Sequence, residues 1–367
     1  MRVLLTIASM HSGGAERVVT TLAAGLAARG LDVALAAPHG PGDEELRDVH
    51  HERFALEPHE HGASGAMRLT LDLTGAIRRF QADVVHAQNV RYAAGARVAC
   101  SLAHPRRRPR LLASFHGVLP ADYRNAARVL RTCDHVACVS ADLLERIVAA
   151  GVPAGRASLV RNAVALPAPL APRRREQLDR ELGTAGVPVV AIVGRLVAQK
   201  AHERFVLAAR RVADELPDVK FLIVGEGPRA QEIQDQVTAA GLAAQTLLTG
   251  QRTDAREIIA RADVVVFSSE WEGLSIAALE ALAAGTPVLS TDVHGMRDLL
   301  AGGAGAVVAL DDGLALGARL VELLRDEPAR AAMGRIGREL IAREYSLDAM
   351  VDAYAELYER LAGADAR

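Results

Sequence analysis

The stretch 263–292, DVVVFSSEWEGLSIAALEALAAGTPVLSTD, constrains the fold more than any other part of the chain. Its apolar run, 264–267, has the composition of a buried parallel strand. After an acidic and aromatic turn, the spacing predicts a helix over 275–284 that ends at Gly285, and a further apolar run begins at Val288. The stretch therefore predicts a β-turn-α-β unit. Its turn lies at the carboxyl end of a strand, where open α/β sheets bind ligands.

Two glutamates in this unit require a chemical explanation. Glu272 lies in the turn, and Glu280 lies eight positions later in the predicted helix, where its neighbours at helical spacing are apolar. A carboxylate on such a surface is costly unless something satisfies it, and one interpretation is that it lies at the edge of the apolar stripe and reaches water. The other is that the backbone N–H groups of Gly273, Leu274 and Ser275 bind a phosphate at the helix start. With a phosphate at the helix start and a hydroxyl-bearing group beside Glu280, the ligand would be a nucleotide.

The remaining chain alternates apolar strands with helical stretches, as in parallel, doubly wound sheets. Strands are predicted at 2–8, 31–37, 49–56, 83–86, 111–115, 136–139, 158–160, 189–193, 219–224, 246–249, 264–267 and from 288. A chain of 367 residues exceeds one ordinary core, and the proline-rich stretch 167–175 interrupts the alternation. We therefore expect a Rossmann-like domain at 1–166, a second at 167–345, and a C-terminal helix at 346–367 that packs back toward the first. Two such domains imply a cleft.

Composition excludes several classes of protein. Lys and Arg total 43 against 45 for Asp and Glu, a net charge of −2, which argues against a general nucleic-acid binder. Three cysteines without metal spacing, and no stretch typical of a signal peptide or membrane span, indicate a cytoplasmic protein. The chain contains no DxD pair, and its histidines lack zinc-ligand spacing, so we expect no metal.

Glycines and cations at predicted strand ends are candidate ligand-binding groups. Arg195 follows Gly194 at the end of one strand, and Lys200 lies five positions on. Two cations suit a diphosphate, although two solvated surface charges are an equally good interpretation of these residues alone. Gly13 and Gly14 join the first strand to the first helix, where glycine lets the backbone approach a phosphate. An ordinary tight turn is the alternative there.

Three further features have two interpretations each. His116 and His86 end predicted strands and are candidate donors or acid-base groups, although satisfied loop histidines are at least as common. The stretch 225–230 matches GxGxxA, which resembles the fingerprint of dinucleotide-binding loops. That fingerprint expects a ribose-binding acidic residue about 20 positions further on, and the sequence has none there. We therefore interpret the stretch as a turn with little ligand contact. The basic region Arg106 to Arg110 is interpreted as a solvated loop, and its functional alternative is contact with an anionic membrane surface or a phosphorylated acceptor.

Together these segments resemble the family 4 glycosyltransferases, which have the GT-B fold. GGAERVV resembles the family's glycine loop, and FHG resembles its histidine loop. VGRLVAQK, IVGEGP and SEWEGLSIAALEALAAGTPVLSTD resemble the motifs of its donor-binding domain. The resemblance extends from residue 1 to about 345, and the EGLS…E motif with an upstream GR…K is specific. It implies an α/β fold of two Rossmann-like, doubly wound domains that face each other across a cleft.

The resemblance also implies an activity and a site. The activity is transfer of a hexosyl unit, with retention and without a metal or other cofactor, from a UDP- or GDP-sugar. The acceptor would be a hydroxyl of a glycan, a lipid-linked compound or a small molecule. The implied catalytic residues are His116 at the donor sugar, Arg195 and Lys200 at the diphosphate, and Glu272. The implied binding residues are Gly13, Gly14, Gly194, Gly250, Gln251, Arg252, Gly273, Leu274, Ser275 and Glu280, of which Glu280 would bind the ribose and Gly250 to Arg252 the base.

The chain departs from the family pattern at three positions. Ala201 and Ala163 stand where the family often has glycine, which we expect to be tolerated, and His294 replaces a glycine near the donor site, which we expect to narrow the choice of sugar. Two alternatives stay open. A nucleotide-sugar 2-epimerase of the same fold would act on the donor alone, and a non-catalytic nucleotide-sugar-binding protein would bind without turnover.

Overall fold

The computed structural model describes residues 1–11, 13–59, 62–104, 108–310 and 312–363. These residues form two compact units, each built on its own sheet: Met1–Asn162 with the C-terminal segment from Leu347, and Ala163–Ser346. The chain enters the second unit before the proline-rich stretch 167–175, at which the sequence placed the boundary. Part of that stretch is helical, because Pro172 occupies the first position of a helix, where proline is tolerated.

The first unit contains a seven-stranded parallel sheet. Its strands are β1 (Arg2–Thr6), β2 (Asp32–Ala37), β3 (Glu52–Ala55), β4 (Val84–Ala87), β5 (Arg110–Phe115), β6 (His135–Cys138) and β7 (Ala157–Leu159). Its helices are α1 (Gly14–Ala28), α2 (Ala63–Phe80), α3 (Val90–Ala103), α4 (Tyr123–Leu130), α5 (Ala141–Ala149) and the C-terminal helix, Leu347–Gly363. The strand order is β3-β2-β1-β4-β5-β6-β7, so the sheet is wound in both directions from β1.

The second unit contains a six-stranded parallel sheet. Its strands are β8 (Val189–Val193), β9 (Lys220–Val224), β10 (Thr246–Gly250), β11 (Val264–Phe267), β12 (Val288–Thr291) and β13 (Gly305–Val308). Its helices are α6 (Pro172–Leu182), α7 (His202–Glu215), α8 (Ala230–Ala239), α9 (Ala255–Arg261), α10 (Ile276–Ala284), α11 (His294–Leu300), α12 (Gly313–Arg325) and α13 (Glu327–Glu344). The order β10-β9-β8-β11-β12-β13 repeats the winding of the first sheet.

The strand orders locate one topological switch point in each sheet. In the first unit the order reverses between β1 and β4, and in the second it reverses between β8 and β11. Connections from these neighbouring strands leave on opposite faces of the sheet, which opens a crevice at their carboxyl ends. The loops that follow β1, β4, β8 and β11 are therefore the parts of the fold best placed to bind a ligand.

The C-terminal helix packs within the first unit. Its Tyr354 and Tyr358 are completely buried. At its start, Asp348 and Asp352 accept hydrogen bonds from Arg29 at the end of α1, at 3.1 and 2.6 Å. Burial of two large aromatic side chains, rather than these exposed ion pairs, supplies most of the stabilisation.

The predicted fold class is confirmed: both sheets are parallel and doubly wound, and the central strand β11 has the predicted bounds. The structure adds elements that the sequence analysis missed, among them α11 and β13. The strand β13 has the sequence GAVV and is half-buried along its length, so it lacks the long apolar run that identifies a central strand. Within the described residues, no helix is long and apolar enough to cross a membrane.

Candidate functional site

Two loops meet at the switch point of the second sheet. Lys200, from the loop after β8, places Nζ 2.5 Å from Oε1 of Glu272, from the loop after β11. Ser269 Oγ donates to the same oxygen at 2.6 Å. The side chains of Lys200 and Glu272 are only 16% and 6% exposed. The sequence predicts that these two residues bind different parts of a ligand, and the structure shows that they also form a nearly buried ion pair with each other.

Gln199 forms hydrogen bonds that connect the loop after β8 to the loop after β11. Its carbonyl oxygen accepts from the N–H of Glu270 at 2.9 Å, and its side-chain Nε2 donates to the carbonyl oxygen of Trp271 at 3.0 Å. Ser268 Oγ adds a hydrogen bond of 2.8 Å to the carbonyl oxygen of Lys200. These bonds fix the turn before Glu272 against the loop that carries Lys200. Gln199 was not predicted from the sequence as a site residue, although its position beside Lys200 in a strand-end loop was a usable signal.

Arg195 is exposed, and its side chain has no hydrogen bond or ion pair within the described part of the chain. The loop that carries it rests on the turn after β9, where the N–H of Leu196 donates to the carbonyl oxygen of Glu226 at 2.9 Å. Gly225 has φ +142°, and a Cβ there would lie 2.0 Å from the carbonyl oxygen of Gly194. The GxGxxA stretch thus lets two backbones approach closely and supports the Arg195 loop.

The turn before α10 presents unpaired backbone donors. Ser275 caps the helix, since its Oγ accepts from the N–H of Ala278 at 3.4 Å. The N–H groups of Gly273, Leu274 and Ser275 have no hydrogen-bond partner among the described residues. The start of α11 packs on this turn, because a Cβ at Gly295 would lie 2.1 Å from the carbonyl oxygen of Gly273. A helix start with free donors and partial positive charge favours an anion.

Glu280 has an ion-pair partner that its own helix does not supply. Arg256, on α9, donates from Nε to Oε1 of Glu280 at 2.7 Å. The glutamate side chain is 5% exposed and the arginine side chain 56%. As predicted, no residue of α10 forms the ion pair with Glu280. Instead Arg256 on the adjacent helix α9 supplies the charge that offsets the burial of the Glu280 carboxylate. Burial of Glu280 therefore does not by itself require a ligand.

The turn Gly250 to Arg252 lies at the end of β10, at the edge of the sheet. Gly250 has φ +69°. The Arg252 guanidinium donates to both oxygens of Asp254 at 2.8 Å and to Glu181 at 3.2 Å. The bonds to Asp254 raise the pKa of Arg252 further above its usual range. Because β10 is two strands from β8, this turn lies about 10 Å from the switch point, within the span of a nucleotide.

In the first unit, Gly13 and Gly14 begin α1. A carboxylate already lies over this helix start: a Cβ at Gly13 would lie 2.2 Å from Oε2 of Glu16. Ser9 Oγ donates to the other oxygen of Glu16 at 2.5 Å. The favourable site for negative charge is thus held by Glu16, so a phosphate can approach only if that side chain moves.

The two histidines singled out from the sequence lie in different surroundings. His116 follows β5, is partly exposed, and contacts Oε1 of Gln88 through Nε2 at 3.3 Å. Burial lowers the pKa of His116 to about 4, so the ring is neutral at pH 7. His86 is completely buried, its ring nitrogens lie within hydrogen-bond distance of Tyr358 and Ser114, and burial lowers its pKa to about 3. His86 is therefore an internal hydrogen-bonding residue.

The departures from the family pattern differ in their backbone requirements. Ala201 has φ +43°, the left-handed conformation that favours glycine. Ala163 has no positive φ and tolerates a side chain. His294 is exposed and lies one residue before Gly295, which contacts the turn of Gly273. His294 thus lies close to the donors at the start of α10.

Two further expectations concern metal and membrane. Within the described ranges, no group of three or more His, Cys, Asp or Glu side chains is arranged to hold a metal ion. Of the basic region, Arg106 and Arg107 lie outside the described residues. Arg108 donates to Asp134 at 2.7 Å, and Arg110 lies 3.5 Å from the same carboxylate.

Comparison with protein-family models divides the chain as its two sheets do. Residues 12–166 match the model Glycosyltransferase Family 4, and residues 174–340 match the model Glycosyl transferases group 1. The lipopolysaccharide core biosynthesis glycosyltransferase LpsE of Rhizobium meliloti is 27% identical over 354 residues, which cover 94% of this chain and 95% of that protein. The 2-deoxystreptamine glucosyltransferase of Streptomyces kanamyceticus is 32% identical over 198 residues, and the match spans only 51% of its length.

Solved structures match over nearly the whole chain. Anabaena HepE in complex with UDP and glucose has a TM-score of 0.86 at 20% identity, with coverage of 98% of this chain and all of that chain. WaaG, a glycosyltransferase involved in lipopolysaccharide biosynthesis, has a TM-score of 0.78 at 18% identity, with coverage of 98% of this chain and all of that one. Both show the same fold of two parallel sheets. The chain belongs to the family 4 glycosyltransferases and has their GT-B fold.

Proposed function

We propose that this protein is a retaining glycosyltransferase that moves a hexosyl unit from a UDP- or GDP-sugar to an acceptor hydroxyl on a glycan, a lipid-linked compound or a small molecule. The observation that carries the proposal is that the loop after β8, which contains Arg195 and Lys200, meets the turn before α10, with its unpaired N–H groups, through the Lys200–Glu272 ion pair at the switch point of the second sheet. Cations and helix-start donors held together in this way suit a diphosphate. The solved structure of HepE contains UDP and glucose, which supports a nucleotide-sugar donor here.

The chemistry follows from where charge develops. As the bond between the anomeric carbon and the diphosphate oxygen breaks, negative charge grows on the leaving phosphate. Lys200 and the N–H groups before α10 stabilise that charge from fixed positions, and Arg195 adds a further cation, without a metal. The proton of the acceptor hydroxyl passes to the leaving phosphate as the new glycosidic bond forms on the same face. No carboxylate nucleophile is required.

Among the described residues, the Lys200 ammonium has one partner, Glu272, before the donor binds and two partners, Glu272 and the diphosphate, afterwards. When a diphosphate binds, Lys200 shares its three donors between the phosphate and Glu272. Glu272 keeps its hydrogen bond from Ser269 and stays satisfied, and its second oxygen is available to a hydroxyl of the sugar. We assign Glu280 to the ribose hydroxyls and Gly250 to Arg252 to the base. We assign His116 to the donor sugar, and Gly13 and Gly14 to the phosphate.

Arg195→Ala is the cleanest test of the diphosphate assignment. Its side chain is exposed and makes no ion pair among the described residues, so the fold should persist. We expect transfer from the active UDP- or GDP-sugar to be abolished, with a thermal unfolding midpoint equal to that of the wild type. Lys200→Ala should also abolish transfer, but it leaves the Glu272 carboxylate nearly buried without its cation. The matched variant Lys200→Arg keeps that pair. Full activity of Arg195→Ala would remove the assignment.

Glu280→Gln tests the ribose assignment. The amide keeps the size of the side chain and can still accept from Arg256, so the packing of α9 on α10 is preserved. We expect weaker binding of UDP and GDP, measured by calorimetry, because a charged acceptor to two hydroxyls is lost. Arg256→Ala is the control for the ion pair alone. Equal nucleotide affinities in wild type and Glu280→Gln would contradict the ribose role.

Metal independence and the choice between transfer and epimerisation have direct assays. We expect transfer to survive excess EDTA, and a loss restored by Mn²⁺ would contradict the metal-free mechanism. Incubation with the donor alone separates a transferase from a 2-epimerase, since only the epimerase yields an altered nucleotide-sugar. Tight binding without turnover would identify a non-catalytic binding protein.

We place the protein in the cytoplasm, at the inner face of a membrane when its acceptor is lipid-linked, with contact through the region Arg106 to Arg110. Asp134 engages Arg108 and Arg110, so Arg106 and Arg107 are the variants to change. Replacing both by Glu should abolish co-sedimentation with vesicles of anionic phospholipid and leave transfer to a water-soluble acceptor unchanged. Unchanged co-sedimentation would exclude this region as the contact.

A further inference from the structure

The first unit has a polar pocket at the amino ends of its central strands. Its volume is about 360 Å³, within the range of about 300–1,000 Å³ that is usual for small-molecule sites. Arg2 begins β1, Arg110 begins β5, and Asp83 immediately precedes β4, which lies between those two strands. The six residues of β5 span about 17 Å. The pocket therefore lies at the edge of the sheet opposite to the loops that follow β1, β4 and β5.

Two nitrogen atoms in the wall of this pocket lack hydrogen-bond partners among the described residues. They are Nε2 of His104 and Nη1 of Arg108, and both atoms are buried. The Arg108 guanidinium is anchored by its other arm, since Nη2 donates to Asp134 Oδ1 at 2.7 Å. The Arg108 side chain is 26% exposed, so a small rotation of the guanidinium turns Nη1 into the pocket. Native structures rarely leave a buried donor without an acceptor, and a bound ligand would supply one.

The pocket carries a net positive charge. Three arginines line it, and the carboxylates of Asp83, in the lining, and Asp134, beside it, offset two of their charges. Asp134 lies between two of the arginines, because its Oδ1 is also 3.5 Å from Nη1 of Arg110. One positive charge is therefore left in a polar pocket. Such a pocket favours an anion over an apolar or cationic ligand.

Gln81 holds the third arginine, Arg2, at the pocket. Gln81 follows α2 and has φ +55°, the left-handed conformation that favours glycine. Its Oε1 accepts from Nη1 of Arg2 at 3.2 Å, and the Arg2 guanidinium lies over the ring of Phe80, 5.7 Å from the centroid. Glycine would suit the backbone at this position, but only a side chain such as that of Gln81 can orient the guanidinium.

We propose that this pocket binds a phosphomonoester group, with Arg2, Arg108 and Arg110 as its cations and His104 as a further donor. A phosphomonoester carries up to two negative charges and three terminal oxygens, so it can accept from guanidinium groups on separate strands at once. The planar donors of arginine pair with two such oxygens. The phosphate belongs either to a small soluble compound or to a lipid headgroup. The site consists of residues of the first unit alone, so it goes beyond the proposed function and does not depend on it.

Phosphorus NMR titration with inorganic phosphate and glucose 1-phosphate, in chloride buffer free of other oxyanions, measures the site. Every protein in the titration carries Arg195→Ala, which disables the proposed diphosphate site. Adding Arg108→Gln removes one guanidinium and leaves Arg110 beside Asp134, and we expect it to weaken phosphate binding by about ten- to a hundredfold. Arg131→Gln is the matched control, since it removes the same charge from an exposed position in the same unit outside the pocket. Its phosphate affinity should be unchanged.

Vesicles identify the source of the phosphate. Phosphatidic acid carries a phosphomonoester headgroup, whereas phosphatidylglycerol carries a phosphodiester. Co-sedimentation with phosphatidic acid alone, lost in Arg108→Gln, would identify a lipid ligand. Binding of glucose 1-phosphate without a preference between the two vesicles would identify a soluble one. Both results place a phosphomonoester in the pocket.

Two results would overturn the proposal. One is equal phosphate affinity in Arg108→Gln and Arg131→Gln, and the other is that the folded protein with Arg195→Ala binds neither the soluble phosphates nor phosphatidic acid. If Arg108→Gln does not fold, Arg2→Gln replaces it, because Arg2 is exposed and its backbone N–H keeps the 2.9 Å bond to Asp83. Arg2→Gln must then weaken phosphate binding relative to Arg131→Gln.

Discussion

Neutral histidines, completely buried at His86 and largely buried at His116, make this protein sensitive to mild acid. The pKa of His86 is lowered to about 3 and that of His116 to about 4, in both cases mainly by burial. In the unfolded chain each titrates near its ordinary value of about 6.5. Below that pH the unfolded state therefore binds more protons than the folded state. The resulting stability is fully present above pH 6.5 and is lost as the pH falls toward the folded values.

The magnitude follows from those values. When the pH falls from 7 to 5, each histidine lowers the free energy of unfolding by about 2 kcal/mol. His86 and His116 together therefore lower the free energy of unfolding of the first unit by about 4 kcal/mol. His135, whose pKa is also lowered by burial, adds to the loss. The pKa of Asp43 is lowered by its hydrogen bonds from His39 and Gly40, against desolvation by burial, and its contribution is lost only below about pH 4. The interval from pH 7 to pH 5 thus isolates the histidines.

The assay follows each unit separately. The chain has a single tryptophan, Trp271, which belongs to the second unit. Urea unfolding followed by its fluorescence should therefore show a loss of about 2 kcal/mol from His202, whose pKa burial lowers to about 4. Hydrogen exchange of β4 and β5 amides reports on the first unit. There His86→Gln, which hydrogen-bonds without titrating, should reduce the pH-dependent loss by about 2 kcal/mol. Equal stability of the wild-type first unit at pH 7 and pH 5, or an unchanged pH dependence in His86→Gln, would refute the reasoning.

Four further variants test backbone conformation at Ala201, Gly225 and Gly183 and a buried hydrogen bond at Tyr358. Ala201→Gly should stabilise the second unit by about 0.5–1 kcal/mol in urea unfolding, because it relieves a left-handed φ of +43° at the cost of added chain entropy; destabilisation would contradict this. Gly225→Ala should lower the free energy of unfolding by about 3 kcal/mol and impair donor binding. Gly183 also has a positive φ but open space around it, so Gly183→Ala should lower the free energy of unfolding by only about 1 kcal/mol. Equal losses would show that the close contact of Gly225 with Gly194 is unimportant. Tyr358→Phe should destabilise the first unit by about 2 kcal/mol, because His86 loses a buried hydrogen-bond partner, and a change below about 0.5 kcal/mol would argue against that bond.

Local sequence determined the elements that carry the site. The run Val264–Phe267 identified β11, because a strand covered on both faces is apolar throughout. Ser275 and Gly285 identified the ends of α10, since a cap hydrogen bond and a left-handed φ of +78° depend only on neighbouring residues. The loop residues Arg195, Lys200 and Glu272 were predicted because they follow such strands. The family pattern could also be identified from the sequence, because its spacings are fixed within one βα unit and are therefore local.

Tertiary structure decided which of these groups touch. Lys200 and Glu272 are 72 positions apart, Arg256 and Glu280 are 24 apart, and His86 and Tyr358 are 272 apart. Their contacts depend on strand order, helix packing and side-chain rotamers, none of which leaves a periodic trace in the sequence. The same holds for Gln88, which contacts His116 only because β4 and β5 lie side by side. The sequence by itself determined the strands, the caps and the loops that carry charge. Only packing determined which charges are paired and which donors and acceptors stay available for a ligand.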